Sequence, residues 1–239
     1  MEVRGFVIHL ARAAERARQV ARIIETAPVP TRVLDAVDAA TADLSPYTPD
    51  APLVPRYPFP LSETEIAVFL SHRSAWQAIL DEGLDAALII EDDVAFDPAA
   101  FNPAFTAALP FAQNGAYVRL PQKKRESTGE ALAPLIRRPT EVALGMQAQL
   151  VGAEAARNLL AATETFDRPV DVLIQMTWIH RADILSAWPS GVSDISATLG
   201  GSTLKKRRGL GARLSAEAQR ALFRWRISRV ARDHAGKPR

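Results

Sequence analysis

Cysteine is absent from the 239 residues, which excludes disulfides and thiolate metal centres and is compatible with a reducing compartment. Long apolar runs are missing too: none approaches the ~20 residues that a membrane-spanning helix needs. The opening segment, MEVRGFVIHLARAAER, turns charged after a short apolar stretch and lacks a small-residue cleavage site, so it is not expected to act as a signal peptide. No internal repeat is present. Acidic residues are scarce in one region only. Residues 200–239 hold 2 of them against 12 Lys and Arg, whereas residues 1–199 hold 25 against 17. The pI of about 9.1 therefore comes from a basic tail on an acidic body. Such a tail fits an anionic partner: a membrane surface, a nucleic acid or another protein.

Hydrophobic residues make up 48% of the chain and charged residues 23%, so a substantial core is expected. RGFVIHL (4–10) reads as a strand, ARAAERARQVARIIET (11–26) as a helix and TRVLDAVDA (31–39) as a second strand. This opens a βαβ unit and hence a parallel sheet. Residues 45–60 hold six prolines and cannot be regular structure; a surface loop packed on the body is expected, with a flap over a site as the alternative. LSETEIAVFLSHRSAWQAILDEG (61–83) is the clearest helix, with a Ser62–Glu65 capping box, an apolar face of Ile66, Phe69, Leu70, Trp76, Ile79 and Leu80, and Gly83 placed to stop it. Strands follow at 85–90 and 115–120, then a polar, basic connection at 121–138, a strand pair within 141–151 and a helix at 152–166. Residues 168–188 mix a short helix with a strand. Residues 200–209 read as a linker into a basic helix at 214–233, which divides the chain into a body (1–199) and a tail (200–239).

The segment AALIIEDDVAF (86–96) places Glu91, Asp92 and Asp93 directly behind a buried strand. Ligands of open α/β sheets bind beyond the carboxyl ends of the strands. Three like charges there are relieved by a hard cation such as Mn²⁺ or Mg²⁺, which takes oxygen ligands and shares them with substrate phosphates. Alternation along an extended chain puts Glu91 and Asp93 on one side and Asp92 on the other. A solvated acidic turn remains the alternative.

VIHLARAAER, the helix 61–83 with its Ser-His-x-x-x-Trp, and ALIIEDDVAF come in the order and spacing of glycosyltransferase family 25, the lipopolysaccharide and lipooligosaccharide sugar transferases. MQAQLVGAEAARNLL and RPVDVLIQMTW resemble its later blocks, so the likeness runs from about residue 3 to 190. The resemblance implies an α/β, GT-A-like Rossmann-type sandwich with a mostly parallel central sheet. It also implies inverting transfer of galactose or glucose from a UDP-sugar to a cell-surface glycan or lipid-linked acceptor such as lipopolysaccharide. On it, Asp93 and Glu91 become metal ligands for Mn²⁺ or Mg²⁺, and Asp92 joins them in donor binding. The departures are His9 and Ala11, where the family has Asn and Asp, Ala67-Val68 for Gly-Cys, and Gln149 for a Tyr. These raise a second reading, a non-catalytic nucleotide- or glycan-binding protein that retains the fold; a metal-dependent phosphohydrolase is a third.

Other candidates carry alternatives of their own. Arg12 and Arg16 match the family's basic pair and face either the donor diphosphate or solvent. Asp38 is a ribose or base contact, or a turn residue. His72 borders the site or is a core histidine, whereas Ser71 is expected to be structural. The base that takes the acceptor's proton is Asp171 first and Asp194 second, each otherwise a helix cap. His180 is a weak additional metal ligand, and Lys123, Lys124 and Arg125 are a phosphate-neutralising loop or plain surface. In the tail, Leu222, Phe223, Trp225, Ile227 and Val230 alternate with arginines. That composition fits an anionic membrane surface, with packing on the body or a second subunit as the alternative; no nucleic-acid motif supports the remaining option. The expected location is cytoplasmic, peripheral on the inner membrane.

Overall fold

A computed structural model describes residues 2–44, 52–199 and 210–235. Its frame is an eight-stranded sheet in the order β2-β1-β3-β8-β5-β9-β7-β6. The strands are β1 (Val3–His9), β2 (Thr31–Asp35), β3 (Ala86–Glu91), β5 (Tyr117–Arg119), β6 (Gly129–Ala133), β7 (Ile136–Pro139), β8 (Ala148–Gly152) and β9 (Ile184–Ala187). A short β4 (Val94–Phe96) pairs separately with β10 (Val192–Asp194). Strands β2, β1, β3, β5, β9 and β6 run one way, and only β8 and β7 run against them. The sheet is thus mostly parallel in direction, with β8 inserted antiparallel between β3 and β5.

Alternation along the central strands builds two cores. Phe6, Ile8, Ala87, Ile89, Tyr117 and Val151 point to one face, with Phe69, Trp76, Leu159 and Leu173 packed over them. These come from α2 (Glu63–Asp81), α4 (Ala153–Ala162) and α5 (Val170–Ile174). Val7, Leu88, Ile90, Val118 and Leu150 point to the other face, under Val20, Ile23, Phe101 and Phe105 of α1 (Ala17–Thr26) and α3 (Pro98–Gln113). This is the α/β sandwich expected from the sequence, because strands covered on both sides must be apolar at every position. The Ser62–Glu65 capping box forms, and Gly83, at φ +64, takes the left-handed turn that ends α2.

Several boundaries differ from expectation. A 3-10 turn at Ala14–Arg16 precedes α1, so Leu10–Ala13 are not helical. Strand β2 stops at Asp35, which leaves Asp38 in the following loop. Residues 121–138 are not a plain connection: a 3-10 turn at Lys124–Ser127 leads into the β6–β7 hairpin, which extends the sheet through β7–β9 pairing. Of the strand pair expected at 141–151 only β8 exists, because the backbone at Val142, Ala143 and Gly145 bonds to side chains instead of a neighbouring strand. Helix α3 contains Pro103 and Pro110, which hide it from a propensity reading.

The tail forms α7 (Leu210–Ala235), preceded by the short α6 (Thr177–His180) earlier in the chain. Helix α7 buries Phe223 and Ile227 against Tyr57, Val172, Met176, Trp178 and Ile179. Of the proline-rich segment, residues 45–51 lie outside the described residues, as does the linker at 200–209. The rest packs on the body: the fully buried Arg168 donates to Leu53 O at 2.9 Å and Pro55 O at 3.1 Å.

Under α2, Phe69 and Phe166 stack with ring centroids 3.8 Å apart. Truncating Phe166 leaves a cavity that this sheet-backed core cannot close. Phe166→Ala is expected to cost about 3–5 kcal/mol, read as a lower urea midpoint with an unchanged slope.

Candidate active site

The acidic triplet sits where β3 leaves the sheet. Glu91 is the last residue of β3, and Asp92 and Asp93 form the turn into β4. Strand β10 stabilises that turn: Asp194 lies opposite Val94, and Ile195 N donates to Asp93 O at 2.9 Å. The chain thus emerges at the carboxyl edge of a parallel β1–β3 pair, the ligand edge of such sheets.

The three carboxylates have different surroundings. Asp92 is buried and clasped from two sides, by His9 Nδ1 at 2.8 Å and by Arg16 at 2.5 Å. Arg16 also reaches Asp93 Oδ2 at 3.3 Å. Its guanidinium is held above the ordinary arginine range, where burial opposes the shift and bonding to Asp92 outweighs it. Gln19 reinforces the same corner by donating to Val94 O at 2.5 Å. His9, one of the departures from the family pattern, therefore replaces a small polar residue with another partner for the turn.

Glu91 points to the α2 side, where His72 Nε2 stands 3.7 Å from Oε1, too far for a hydrogen bond. Asp93 carries the strain of the cluster. Burial, then Glu91, and then Asp92 and Asp194 push its carboxyl up to about 6, against the opposing pull of Arg16. Asp194 itself is exposed and accepts from Ser196 N at 2.8 Å.

Behind Glu91 lies a second polar layer that no motif in the chain announces. Gln149 of β8, Arg119 of β5 and Ser186 of β9 are cross-strand neighbours. Arg119 is buried, donates to Glu126 Oε1 at 2.7 Å and to Gly145 O at 2.9 Å, and has Nη1 unpaired. Gln149 Nε2, Ser186 Oγ, Glu126 Oε2 and His72 Nδ1 are also enclosed without a partner. Enclosed unpaired polar atoms are costly, and a cluster of them at a ligand edge suits a polar guest, whether water or ligand.

Asp171 stands at the start of α5 beside this layer. Its Oδ2 accepts from Gly145 N at 3.0 Å, and Gly145, at φ +102, turns the loop toward it. Burial raises the Asp171 carboxyl above its ordinary range, with Glu91 adding to the effect, while Gly145, Arg119 and Val172 oppose it. Burial, with Glu65 and Asp171 nearby, pushes the Tyr57 hydroxyl up to about 12. Tyr57, in the proline-rich segment, is thus a neighbour of the site that only the fold exposes.

Some candidates stand apart. Arg12 and Asp38 bond to each other at 2.7 Å on an open rim, each shifted chiefly by its bond to the other, and neither bonds to the triplet. Ser71 is structural, bridging Ala67 O and Val37 N. His180 is no metal ligand: Nε2 meets Ile174 O at 3.1 Å, Nδ1 accepts from Ala182 N at 3.1 Å, and burial drives its pKa down to about 4. Lys123 and Lys124 lie exposed on the 3-10 turn before Glu126; the side chain of Arg125 lies outside the described residues.

No group of three or more His, Cys, Asp and Glu residues converges as a metal cage among the described residues. The donor set of Glu91 and Asp93 nevertheless fits a hard cation in one respect. It offers carboxylate oxygens whose charge Arg16 offsets only in part, and it leaves the remaining positions to water and phosphate oxygens, the usual habit of Mg²⁺.

The raised Asp93 has a consequence for stability. The folded chain holds this proton more tightly than the unfolded chain, so the advantage is complete below about 4 and is lost as pH rises through about 6. Asp93→Asn is therefore expected to melt above the unmodified protein at pH 7 without added metal, and the gap is expected to close toward pH 4. The two arginines also separate. Arg16→Ala strands the buried Asp92 and is expected to cost on the order of 3 kcal/mol, whereas Arg12→Ala is expected to leave the urea midpoint unmoved.

A profile of glycosyltransferase family 25 (LPS biosynthesis protein) matches residues 3–174, from β1 to the end of α5. Procollagen galactosyltransferase 2 of Homo sapiens is 33% identical over 98 residues, 38% of this chain and 16% of that protein. The Lacto-N-neotetraose biosynthesis glycosyltransferase LgtE of Neisseria gonorrhoeae is 35% identical over 98 residues, 38% of this chain and 32% of its own. Inactive glycosyltransferase 25 family member 3 of Homo sapiens is 35% identical over 98 residues, with 38% and 16% covered. The aligned stretch thus spans a third or less of each relative. With most of its length matched, from the first strand through the acidic turn to Asp171, the chain belongs to glycosyltransferase family 25.

Proposed function

We propose that the protein is an inverting glycosyltransferase that moves galactose or glucose from a UDP-sugar to a glycan or lipid-linked acceptor such as lipopolysaccharide. One observation carries this reading. Within the family-matched segment, Glu91 and Asp93 share a half-buried turn at the ligand edge, and the charge they concentrate has no full protein counterpart. A sugar diphosphate with Mn²⁺ or Mg²⁺ supplies that counterpart.

In this reading Glu91 and Asp93 would hold the cation, and Arg16 stays paired with Asp92 and Asp93. The bound cation would stabilise charge growing on the departing diphosphate. Asp92, locked by His9 and Arg16, keeps the turn in shape. The hexose lies toward Gln149, Arg119 and Ser186, whose unpaired polar atoms meet its hydroxyls. Asp171 takes the proton of the acceptor hydroxyl as that oxygen bonds to the anomeric carbon. The bond from that carbon to the diphosphate breaks, and its electron pair leaves with UDP. A partly buried carboxylate held above its ordinary range is the better base, and Asp171 lies inside the family-matched residues whereas Asp194 lies beyond them.

A second reading has support of its own: an inactive member is among the similar proteins. A binding protein of this fold would take UDP with Mn²⁺ and release no sugar.

A screen of nucleotide sugars by calorimetry, paired with a hydrolysis assay, separates the two. Metal-dependent binding with turnover is expected for a UDP-hexose, and binding without turnover on any acceptor tried would favour the second. Asp93→Asn is expected to lower hydrolysis and transfer at least about a hundredfold, the size of losing one charge-stabilising group. Full activity of that variant in the presence of a chelator would sink the metal assignment. Between the two base candidates, Asp171→Asn is expected to abolish transfer while retaining UDP binding, and Asp194→Asn to retain both.

A further inference from the structure

Helix α7 has two faces, and only one is accounted for by the fold. On the inner face Phe223 meets Tyr57 edge-on at 5.2 Å, with the Arg168 guanidinium 5.8 Å from its ring centre, and Ile227 is buried beside it. At 100° per residue, Leu222, Trp225 and Arg229 point away from Ile227. They are open: Leu222 is 48% and Trp225 53% exposed, and the Arg229 guanidinium lies 5.6 Å from the Trp225 ring centre. Arg226 is exposed beside Leu222, and Arg224 is exposed on the other flank of the helix; neither has an ion pair among the described residues.

We infer that this outward face of α7 seats the protein on an anionic membrane surface. The chemistry is that of an interfacial contact. A Trp ring and a Leu side chain enter the headgroup boundary while flanking arginines meet lipid phosphates. Each basic residue close to such a surface adds attraction that salt screens. The charge distribution agrees, since the tail is strongly basic and the body acidic, so the body turns away from the lipid that the tail engages. No helix among the described residues is long and apolar enough to cross a membrane, so the contact is one of surface seating. A second copy of the chain fits less well, because two exposed apolar side chains fall far short of the ~800 Å² per partner of a stable dimer. A nucleic acid would use the arginines and Trp225 but leave Leu222 unmatched. Because α7 packs on α5 and on Tyr57, seating would hold the Asp171 side of the cleft close to the lipid.

The test uses the full chain without donor or acceptor, so its outcome is independent of the transferase reading. Sedimentation is measured with phosphatidylcholine vesicles, with and without phosphatidylglycerol, at low and physiological salt. Binding is expected only to the anionic vesicles and is expected to weaken as salt rises. Exchanging Leu222 and Trp225 together for Ser is expected to weaken it about tenfold. Phe223 and Ile227 are retained in that variant, so the melting temperature is expected to be unchanged, and an unchanged melt separates lost seating from an undocked helix. Arg224→Gln with Arg226→Gln is a second variant, expected to weaken binding to the anionic vesicles and to lessen its dependence on salt. Equal binding to neutral vesicles, binding unaffected by both variants, or no vesicle binding beside tight binding to a polynucleotide would each overturn the inference. So would a concentration-dependent dimer that shields Trp225.

Discussion

The site depends on one buried clasp. Asp92 faces inward from the turn that follows β3, and the side chains that meet it come from two earlier places, His9 at the end of β1 and Arg16 before α1. These contacts join the carboxyl end of the first strand, the entry to the first helix and the acidic turn. An ion pair so enclosed adds little net stability against an apolar substitute. What it contributes is position, since without it the turn would be free to swing Glu91 and Asp93 out of register. Of the three carboxylates, the one in the middle is therefore the one that protein side chains hold from two sides.

The division of labour in the triplet was only partly legible in the chain. Alternation separates Asp92 from its neighbours, and the apolar run at 86–90 announces a central strand, so the placement at a ligand edge follows from pattern. The partner of Asp92 does not, because His9 and Arg16 lie about eighty positions away and reach it only once β1 and β3 pair in parallel. The polar layer behind Glu91 was hidden for the same reason. Arg119, Gln149 and Ser186 sit on three strands that are far apart in sequence and adjacent only through register. Helix α2 could be read in full because its capping box and apolar face are local. Helix α3 could not, because internal prolines mask a helix that packing alone sustains.

The tail illustrates a different limit. Its composition marks a basic, aromatic helix, but composition cannot say which aromatic faces the protein. The fold answers with Phe223 and Ile227 against Tyr57 and Met176, held from below by the buried Arg168, which also fixes the backbone of the proline-rich segment. One arginine thus ties together two segments far apart in sequence, the proline-rich segment and the tail helix.

The reversal of β8 carries a further implication. Because this strand runs against β3 and β5, it enters the sheet at the ligand edge and leaves at the far edge. The excursion from the end of β5 to the start of β8 thus begins and ends beside the cleft, while the acidic turn belongs to a different connection. Length and sequence in that excursion can diverge without displacing the turn. The frame thus builds the two flanks of this edge from separate connections, so that the acidic corner and the hairpin beside it are covalently independent.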